Sequence, residues 1–382
     1  MVDASSNQGI MDANRTPHAS PCKSEADHAG SFSSKSKTVL TVPELVAHMV
    51  DKGLKLGPLS RKDAERFIEA NGYCRVKGYG AILEKDGRFI PGTSLSDISN
   101  IMELEQKLRS LLLSMVSPVE IALRARLSQT IAEMHGEYAL FSRDFYRTEK
   151  NFENLTGSFD REVKRQQDNG NGFAVHYLAK YGRLPCWAMV ELLSLGTLSK
   201  VYGAMQDTAA QKRIARGFGV PAPYLKSWME YITQIRNICA HQSRLYNRVF
   251  RIRPRLMREH RHIDNARLFP VFIVLLRLHE AMSPAKAQEA RRELGRIVDA
   301  HPGVNLRPMG FPADWRQVLA VPSGEPRSRG RGGGRKPKDP EALAEALRMY
   351  NSRSYAISEI VEVTRISTST LYKYIHLQDY PK

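Results

Sequence analysis

The sequence predicts a mainly α-helical protein, with one large helical bundle followed by a linker and a small three-helix helix-turn-helix domain. Two observations support this class. Apolar residues recur at spacings of three and four over long stretches, as on one face of a helix. Almost nothing alternates with the period of two that a half-buried strand requires.

Two segments poor in apolar residues divide the chain. Residues 1–37 are rich in Ser, Ala, Asn, Asp and Gly, and they are predicted to be a disordered tail. Residues 321–338 are predicted to be an extended basic linker, because Gly and Pro interrupt regular structure and the basic groups repel one another. The predicted domains are therefore residues 38–320 and residues 339–382.

The large domain contains a series of predicted helices, bounded by Gly, Pro and Ser residues. A Gly-rich stretch interrupts the series and predicts a short hairpin, Tyr79–Leu83 with Arg88–Pro91. The indole rings of Trp187 and Trp228 are expected in the core. In order, the predicted helices are Val42–Lys52, Arg61–Ala70, a long helix from Leu95 that is kinked and restarted at Ser117–Pro118, Trp187–Tyr202, Pro223–Asn247, Leu268–Met282 and Pro284–Val298.

The charge balance predicts a polyanionic partner. The 382 residues include 57 Lys and Arg against 40 Asp and Glu, a formal net charge of +17, and nucleic acid is the commonest intracellular polyanion. A membrane surface is the competing interpretation, but the longest apolar run, near Val271–Leu276, is too short to cross a bilayer. With no apolar signal peptide at the N-terminus, we expect a cytoplasmic protein without a membrane partner.

The four cysteines, Cys22, Cys74, Cys186 and Cys239, are scattered and form no CxxC pair. This spacing argues against a disulfide framework and against a thiolate zinc site, and it favours buried, inert thiols. We therefore expect neither a metal nor a cofactor.

The segment that carries chemistry runs from Arg236 to Arg248. On a helix, Asn237 and His241 share a face, and Arg244 and Arg248 continue the same stripe. Arg236 lies five residues before His241, roughly 140° round the helix. One helix alone would therefore make a loose site.

These residue types suit RNA cleavage without a metal. His241 can act as the base for a 2′-hydroxyl or as the acid for the leaving 5′-oxygen, because imidazole titrates near neutral pH. Arg236 offers fixed, bidentate charge to the phosphate, and Asn237 can hold the imidazole or a phosphate oxygen. The alternative is a helix end whose basic residues only complement the helix dipole.

Three blocks in order resemble the Abi-like (abortive infection) family of the HEPN superfamily, over about residues 40 to 300. The first is Asn71-Gly72-Tyr73-Cys74-Arg75, which departs from the family pattern at Gly72 and Cys74. The second is Leu184-Pro185-Cys186-Trp187 through Glu191 to Leu195-Gly196-Thr197-Leu198-Ser199. The third is Arg236-Asn237-x-Cys239-Ala240-His241-x-x-Arg244-Leu245-x-Asn247-Arg248.

This resemblance implies a HEPN fold and a metal-independent endoribonuclease. Its catalytic residues would be Arg236 and His241, with Asn237 in support, and its products a 2′,3′-cyclic phosphate and a 5′-hydroxyl. A homodimer would bring two such motifs around one phosphate. The implied biology is abortive-infection or toxin–antitoxin defence, with an antitoxin RNA or protein as restraint.

Neighbouring side chains have two interpretations each. Arg244 and Arg248 are predicted to bind RNA. Glu191 either orients the Arg or His from an adjacent helix or forms a structural ion pair. A further basic run either contacts RNA or forms a solvated loop, and it consists of Arg251, Arg253, Arg255, Arg258 and Arg261.

Residues 339–382 predict three short helices, Asp339–Tyr350, Ser358–Val363 and Ser367–Ile375, the last with hydroxyls and a lysine on its outer face. The module resembles the DNA-binding domain of serine resolvases and invertases, and residues 334–338 resemble their minor-groove arm. Arg365 replaces the usual turn glycine, so a left-handed backbone there would be strained. The predicted DNA-binding residues are Arg335, Lys336, Ser367, Ser369, Thr370, Tyr372 and Lys373.

The function expected from these features is an RNase toxin whose DNA-binding tail serves autoregulation or targeting. The alternative is a DNA-bound regulator whose helical domain dimerises or binds RNA without cleaving it.

Overall fold

The computed structural model describes residues 39–320, 340–352 and 355–379, without the side chains of residues 340, 369, 373 and 376–379. In these residues the regular structure consists of sixteen α-helices, a few single 3-10 turns and one two-stranded ribbon, which confirms the mainly α class. The chain forms two compact units, Met1–Phe311 and Pro312–Lys382. The predicted tail and linker lie outside the described residues, and the predicted domain bounds stay predictions.

The first unit is built around one long helix, α4. The helices of this unit are α1 (Val42–Asp51), α2 (Arg61–Asn71), α3 (Tyr73–Gly80), α4 (Leu95–His135), α5 (Glu149–Asp168), α6 (Gly172–Tyr181), α7 (Cys186–Leu192), α8 (Leu195–Ala204), α9 (Thr208–Arg216), α10 (Ala222–Ala240), α11 (Pro270–Met282) and α12 (Pro284–Asp299). Strands β1 (Glu84–Lys85) and β2 (Arg88–Phe89) pair antiparallel between α3 and α4. The second unit contains α13 (Trp315–Leu319), α14 (Pro340–Asn351), α15 (Ile357–Thr364) and α16 (Thr368–Asp379).

Helix α4 packs against α7, α9, α10, α11 and α12, so it forms the centre of the first unit. The predicted restart of the helix at Ser117–Pro118 is wrong, because α4 runs through Pro118 as one helix of 41 residues, and the predicted kink there stays a prediction. An interior proline costs about 3 kcal/mol. Met115 and Val119 are buried on either side of it, and each such side chain contributes about 1.5–3 kcal/mol, which outweighs that cost.

Two further boundaries differ from the prediction. Residues 79–83 end α3 and form a 3-10 turn, so the hairpin contains only Glu84–Lys85 and Arg88–Phe89. Burial explains the helix, because Val76 and Tyr79 on one side of α3 are inaccessible to solvent. The predicted helix Trp187–Tyr202 is two helices, because Ser194 caps α8 by accepting the Thr197 N–H.

The second unit buries a small core between α14, α15 and α16, as the periodicity predicts. Its centre consists of Ala346, Ile360, Ile366, Leu371 and Ile375. Arg365 ends α15 in the left-handed conformation, with φ 53° and ψ 20°, which is the conformation expected from the sequence to be strained for a residue other than glycine.

Within the described residues, no helix combines the length and the apolar character that crossing a bilayer requires.

We predict that His279 makes the first unit less stable below neutral pH. Its imidazole is buried and donates from Nε2 to the Met115 carbonyl at 2.7 Å. Burial, with a smaller contribution from Lys286, lowers its pKa from the usual 6.5. As pH falls below about 6.5, the unfolded chain takes up a proton that the folded chain resists, so the free energy of unfolding decreases.

The measurement is urea unfolding of the wild type and of His279→Gln at about pH 7.5 and about pH 5.5. The glutamine can still donate to Met115 but does not titrate. The wild type should lose more stability than the variant, and equal losses would contradict the assignment.

We also predict that Arg365→Gly stabilises the second unit by about 0.5–1 kcal/mol, because a left-handed L-residue costs about 1–2 kcal/mol and the added chain entropy offsets part of the gain. Arg365→Ala is the control, since it removes the same charge and keeps the strain. Hydrogen exchange of the α15 and α16 amides in the full chain reports the result. Equal protection in both variants would assign the effect to charge.

Candidate functional site

The residues predicted to be catalytic lie at the C-terminal end of α10. Arg236 and Asn237 belong to its last turns, and His241 is the residue that caps it. The His241 N–H donates to the Asn237 carbonyl at 3.0 Å, which keeps these two residues one turn apart on the same side. Asn237 and His241 are exposed and Arg236 is half-buried, so a ligand can reach all three.

These three side chains have few partners of their own. Arg236 Nη1 donates to Asn237 Oδ1 at 3.4 Å, a long and exposed hydrogen bond. In the described part of the chain, the His241 imidazole has no side-chain hydrogen bond or ion pair. The geometry of one chain therefore agrees with the loose site expected from the helical spacing.

The predicted helix Pro223–Asn247 is wrong at its C-terminal end, because α10 stops at Ala240. Gln242 adopts a left-handed conformation with φ 54°. The Gln242 N–H donates to the Cys239 carbonyl and the Ser243 N–H to the Ile238 carbonyl, the two bonds of a Schellman cap. Arg244 and Arg248 consequently lie in the following turns and do not continue a helical stripe.

A buried arginine holds this helix end in place. Arg109 of α4 is 1% exposed, and its Nη1 donates to the carbonyls of Ile238, Cys239 and Ser243 at 3.2, 3.3 and 3.1 Å. Last-turn carbonyls have no partner within the helix, and the guanidinium supplies donors to them.

A buried carboxylate completes the network. Glu105 Oε1 accepts from Arg109 Nη2 at 2.5 Å and from the Tyr79 hydroxyl at 2.6 Å. Glu105 Oε2 accepts from the backbone N–H groups of Leu245 and Tyr246 at 2.8 and 2.6 Å. Burial, the charge of Glu105 and this hydrogen bond raise the pKa of the Tyr79 hydroxyl, which stays a donor at physiological pH. The network is defined here as the Glu105 network: Tyr79, Glu105 and Arg109.

Helix α3 contributes two more contacts to the same loop. Arg75 Nη1 donates to the Gln242 carbonyl at 2.8 Å, and Arg244 Nη1 donates to the Gly78 carbonyl. Arg248 Nη1 donates to the Arg244 carbonyl at 3.2 Å. Arg244 and Arg248, predicted to bind RNA, therefore each use part of the guanidinium to hold the loop.

Glu191 lies at the end of α7 and is exposed. Arg124 donates to the backbone carbonyls of Val190 and Glu191 at 2.6 and 3.1 Å. Among the described residues, the Glu191 carboxylate has neither the ion pair nor the contact with Arg236 or His241 that the sequence suggested.

The tryptophan prediction is half right. Trp228 is buried and donates to the Arg255 carbonyl at 2.8 Å. Trp187 is 43% exposed at the start of α7, so its placement in the core is wrong. Cys186 and Cys239 are buried as expected, whereas Cys74 is exposed and Cys22 lies outside the described residues.

The segment after the motif returns along α10 and carries exposed arginines. Gln234 exchanges hydrogen bonds with the backbone of Ile252, and the Ser227 hydroxyl accepts from the Arg255 N–H at 2.9 Å. All five arginines of the predicted basic run are exposed, and in the described residues none forms an ion pair: Arg251, Arg253, Arg255, Arg258 and Arg261. No group of three or more potential metal-ligating His, Cys, Asp or Glu residues occurs in the part of the chain that the structure describes.

In the second unit, the predicted DNA-binding residues differ in exposure. Tyr372 is 44% exposed, whereas Thr370 is 9% exposed and its hydroxyl lies 2.9 Å from that of the half-buried Ser367. Thr370 therefore faces the core side of α16 and is poorly placed to contact DNA. Arg335 and Lys336, and the side chains of Ser369 and Lys373, lie outside the described part.

Comparison with known proteins agrees with both resemblances. Residues 66–247 match the family model of Abi-like proteins, and residues 334–378 match that of the helix-turn-helix domain of resolvase. The first unit is similar to Abi-like proteins.

The Abi-like match contains the whole Glu105 network and the motif at the end of α10. The C-terminal module is 38% identical over 50 residues to the transposon Tn917 resolvase of Enterococcus faecalis. That alignment covers 13% of this chain and 27% of the resolvase, so the likeness concerns the module alone. No solved structure matched the chain.

Sequence reasoning missed Arg75, Glu105 and Arg109 as residues that shape the candidate site. A signal existed, because Glu105 and Arg109 are spaced four apart on α4 and each directly follows an apolar core position, Leu104 and Leu108. An i,i+4 charged pair at core-facing positions indicates a buried ion pair with further polar partners.

We predict that Arg109→Met lowers the free energy of unfolding by about 3–5 kcal/mol, because it leaves Glu105 buried and unpaired. The double variant Glu105→Gln/Arg109→Met should lose less, since no buried charge remains. Arg124→Met is the control on the same helix: it also removes an ion pair and two bonds to backbone carbonyls, but its pair with Glu120 is more exposed, 16% and 18%, so the loss should be smaller than that of Arg109→Met. Urea unfolding of the full chain measures all three, and equal losses would contradict the role of the network.

Proposed function

We propose that the Abi-like unit is a metal-independent endoribonuclease of the HEPN type that acts in abortive-infection defence. The observation that supports this most strongly is that the side chains of the motif are exposed and have few hydrogen-bond partners. Arg236, Asn237 and His241 are accessible and almost without partners, while the backbone beneath them is fixed by buried hydrogen bonds. Functional groups held ready on a rigid support are typical of a catalytic site.

The proposed reaction uses only side-chain chemistry. The 2′-hydroxyl of one nucleotide attacks the adjacent phosphorus, the bond to the 5′-oxygen breaks, and the products are a 2′,3′-cyclic phosphate and a 5′-hydroxyl. His241 transfers the proton as acid or base. Arg236 stabilises the negative charge that develops on the phosphate oxygens, and Asn237 orients either the imidazole or the phosphate.

A second copy of the chain is proposed to complete the site. In the described part of one chain, no hydrogen bond joins the Arg236 and His241 side chains, so a single motif would fix the phosphate weakly. Two facing motifs would supply two guanidinium groups and two imidazoles. The homodimer would have about twice the mass of the 43.2 kDa chain, which sedimentation can measure.

Several cations are proposed to bind the rest of the RNA. Arg75 is held beside Gln242, next to His241 in sequence, and the exposed arginines after the motif flank α10. Arg244 and Arg248 stay predicted RNA contacts, with the qualification that both also hold the loop. An antitoxin RNA or protein would restrain the activity.

The C-terminal module is a resolvase-type helix-turn-helix, a class of DNA-binding domain. We propose that it binds an operator for autoregulation or brings the nuclease to its target. Tyr372 is the exposed described residue of α16 best placed for this contact among those predicted from the sequence.

We predict that induced wild-type protein arrests growth and leaves RNA with cyclic-phosphate ends, whereas His241→Ala does neither. The reason is that the variant lacks the group that transfers the proton, and this loss should lower the rate of RNA cleavage by a factor of about 10²–10⁴. His262→Ala is the matched control, since His262 is another exposed histidine of the same unit and lies outside the motif. It should behave like the wild type.

If His241→Ala cleaves RNA as the wild type does, the nuclease proposal fails. The alternative, a DNA-bound regulator whose helical unit dimerises or holds RNA without cleaving it, rests on the helix-turn-helix match. It would be favoured by operator binding and unchanged RNA in the same experiment.

A further inference from the structure

A polar cleft of about 590 Å³ lies between α5, α8 and α10, away from the residues assigned to catalysis. Its volume lies in the range of small-molecule sites, but its lining is mostly polar, unlike the apolar lining of most of them. Such a lining suits a charged, hydrogen-bonding ligand.

Three cations and one carboxylate line the cleft. Arg161, Lys200 and Lys226 are exposed, and among the described residues none of them forms an ion pair. Glu230 is the carboxylate, and it has no ion pair in the same set. The lining therefore keeps an excess of two positive charges, and in the described residues none of its three cations forms an ion pair.

One residue of the lining carries a buried hydroxyl. Ser199 is 3% exposed, and within the described part of the chain its Oγ has no hydrogen bond. An unpaired buried hydroxyl is a cost to folding, and helical serines usually avoid it by donating to a carbonyl of the preceding turn. A ligand oxygen that reaches this atom from the cleft would supply the missing partner.

The cleft and the catalytic motif lie along the same side of α10. Gly203 faces Lys226 and Gly196 faces Thr233, so α8 runs antiparallel to α10 and lies close to it at both glycines. By the 3.6-residue period, Lys226, Glu230, Thr233 and Asn237 share a face of α10. Glu230 and Asn237 are about 10 Å apart along the helix axis.

We propose that this cleft binds a phosphate group, with Arg161, Lys200 and Lys226 as its cations and the Ser199 hydroxyl as a donor. Identifying the ligand as the RNA strand whose scissile phosphate lies at His241 rests on the proposed nuclease function. Glu230 then accepts a hydrogen bond from a ribose hydroxyl or a base amino group, and it disfavours ligands with several adjacent phosphates.

Binding of a fluorescein-labelled single-stranded RNA of about ten nucleotides tests the cleft. The protein is the full chain carrying His241→Ala, so that the RNA stays intact. Lys200→Gln/Lys226→Gln should weaken binding at least about tenfold. It should also make the slope of log K against log salt concentration shallower by about 0.7 for each phosphate that is no longer neutralised. Lys85→Gln/Lys212→Gln removes two other exposed lysines of the same unit and should change neither.

Ser199→Ala separates a binding role from a structural one. If the hydroxyl serves the ligand, the variant binds RNA several-fold more weakly, while the ligand-free protein is as stable as the wild type or more stable, because an unsatisfied group has been removed. A variant that loses stability and keeps its RNA affinity would assign the hydroxyl to folding and remove it from the site.

Adenosine monophosphate distinguishes the two sources of phosphate. If calorimetry shows that the protein binds AMP and that Lys200→Gln/Lys226→Gln abolishes this binding, the cleft is a site for a free nucleotide. If the protein binds RNA but not AMP, the cleft is a site for an RNA strand. Binding of both ligands by this variant at the level of the lysine control would overturn the proposal.

Measuring RNA cleavage by the wild type and RNA binding by the cleft variant tests the nuclease function and the cleft proposal separately. If the wild type cleaves RNA while the cleft variant binds it like the control, the cleft proposal fails and the nuclease stands. If the wild type does not cleave RNA while the cleft variant loses binding, the nuclease fails and the cleft stands.

Discussion

The buried pair Glu105–Arg109 is the constraint on which the candidate site depends. Two charges at 1% exposure are unfavourable unless their remaining hydrogen-bonding capacity is used. Arg109 uses it on three carbonyls at the end of α10, and Glu105 uses it on the Tyr79 hydroxyl and on two backbone N–H groups. The pair therefore joins α3, α4 and α10 and fixes the loop after the motif.

In this arrangement, the residues that hold the backbone in place are different from the residues proposed to act on the substrate. The Glu105 network that fixes the backbone is buried and hydrogen-bonded, although Arg109 Nε has no partner among the described residues, whereas Asn237 and His241 are exposed. An ordered backbone reduces the entropy that a substrate must overcome when it orients these groups. The open side of the motif, by contrast, leaves room for a phosphate and for a second copy of the motif.

Periodicity could predict most of the helices, because one face of each is buried. It could not predict the end of α10, since residues 241–243 contain no Gly or Pro and the helix is ended by Arg109, which lies more than 120 positions earlier in the chain. The spacing of Arg236, Asn237 and His241 could be read from the sequence. Their supports could be read only in part: the four-residue spacing of Glu105 and Arg109 indicates a buried pair, but the backbone groups that this pair binds carry no sequence signal.

A shared helix also explains why the cleft beside Ser199 and the motif would act as one surface. A rigid helix sets the distance between Lys226 and Asn237 at about 16 Å along its axis, independent of side-chain motion. Close approach of α8 at Gly196 and Gly203 holds the cleft wall against α10, since a side chain at Gly203 would contact the Lys226 stem. A strand bound at both places would therefore be held in one register relative to His241, and such a fixed register allows a nuclease without base contacts to cut at a defined position.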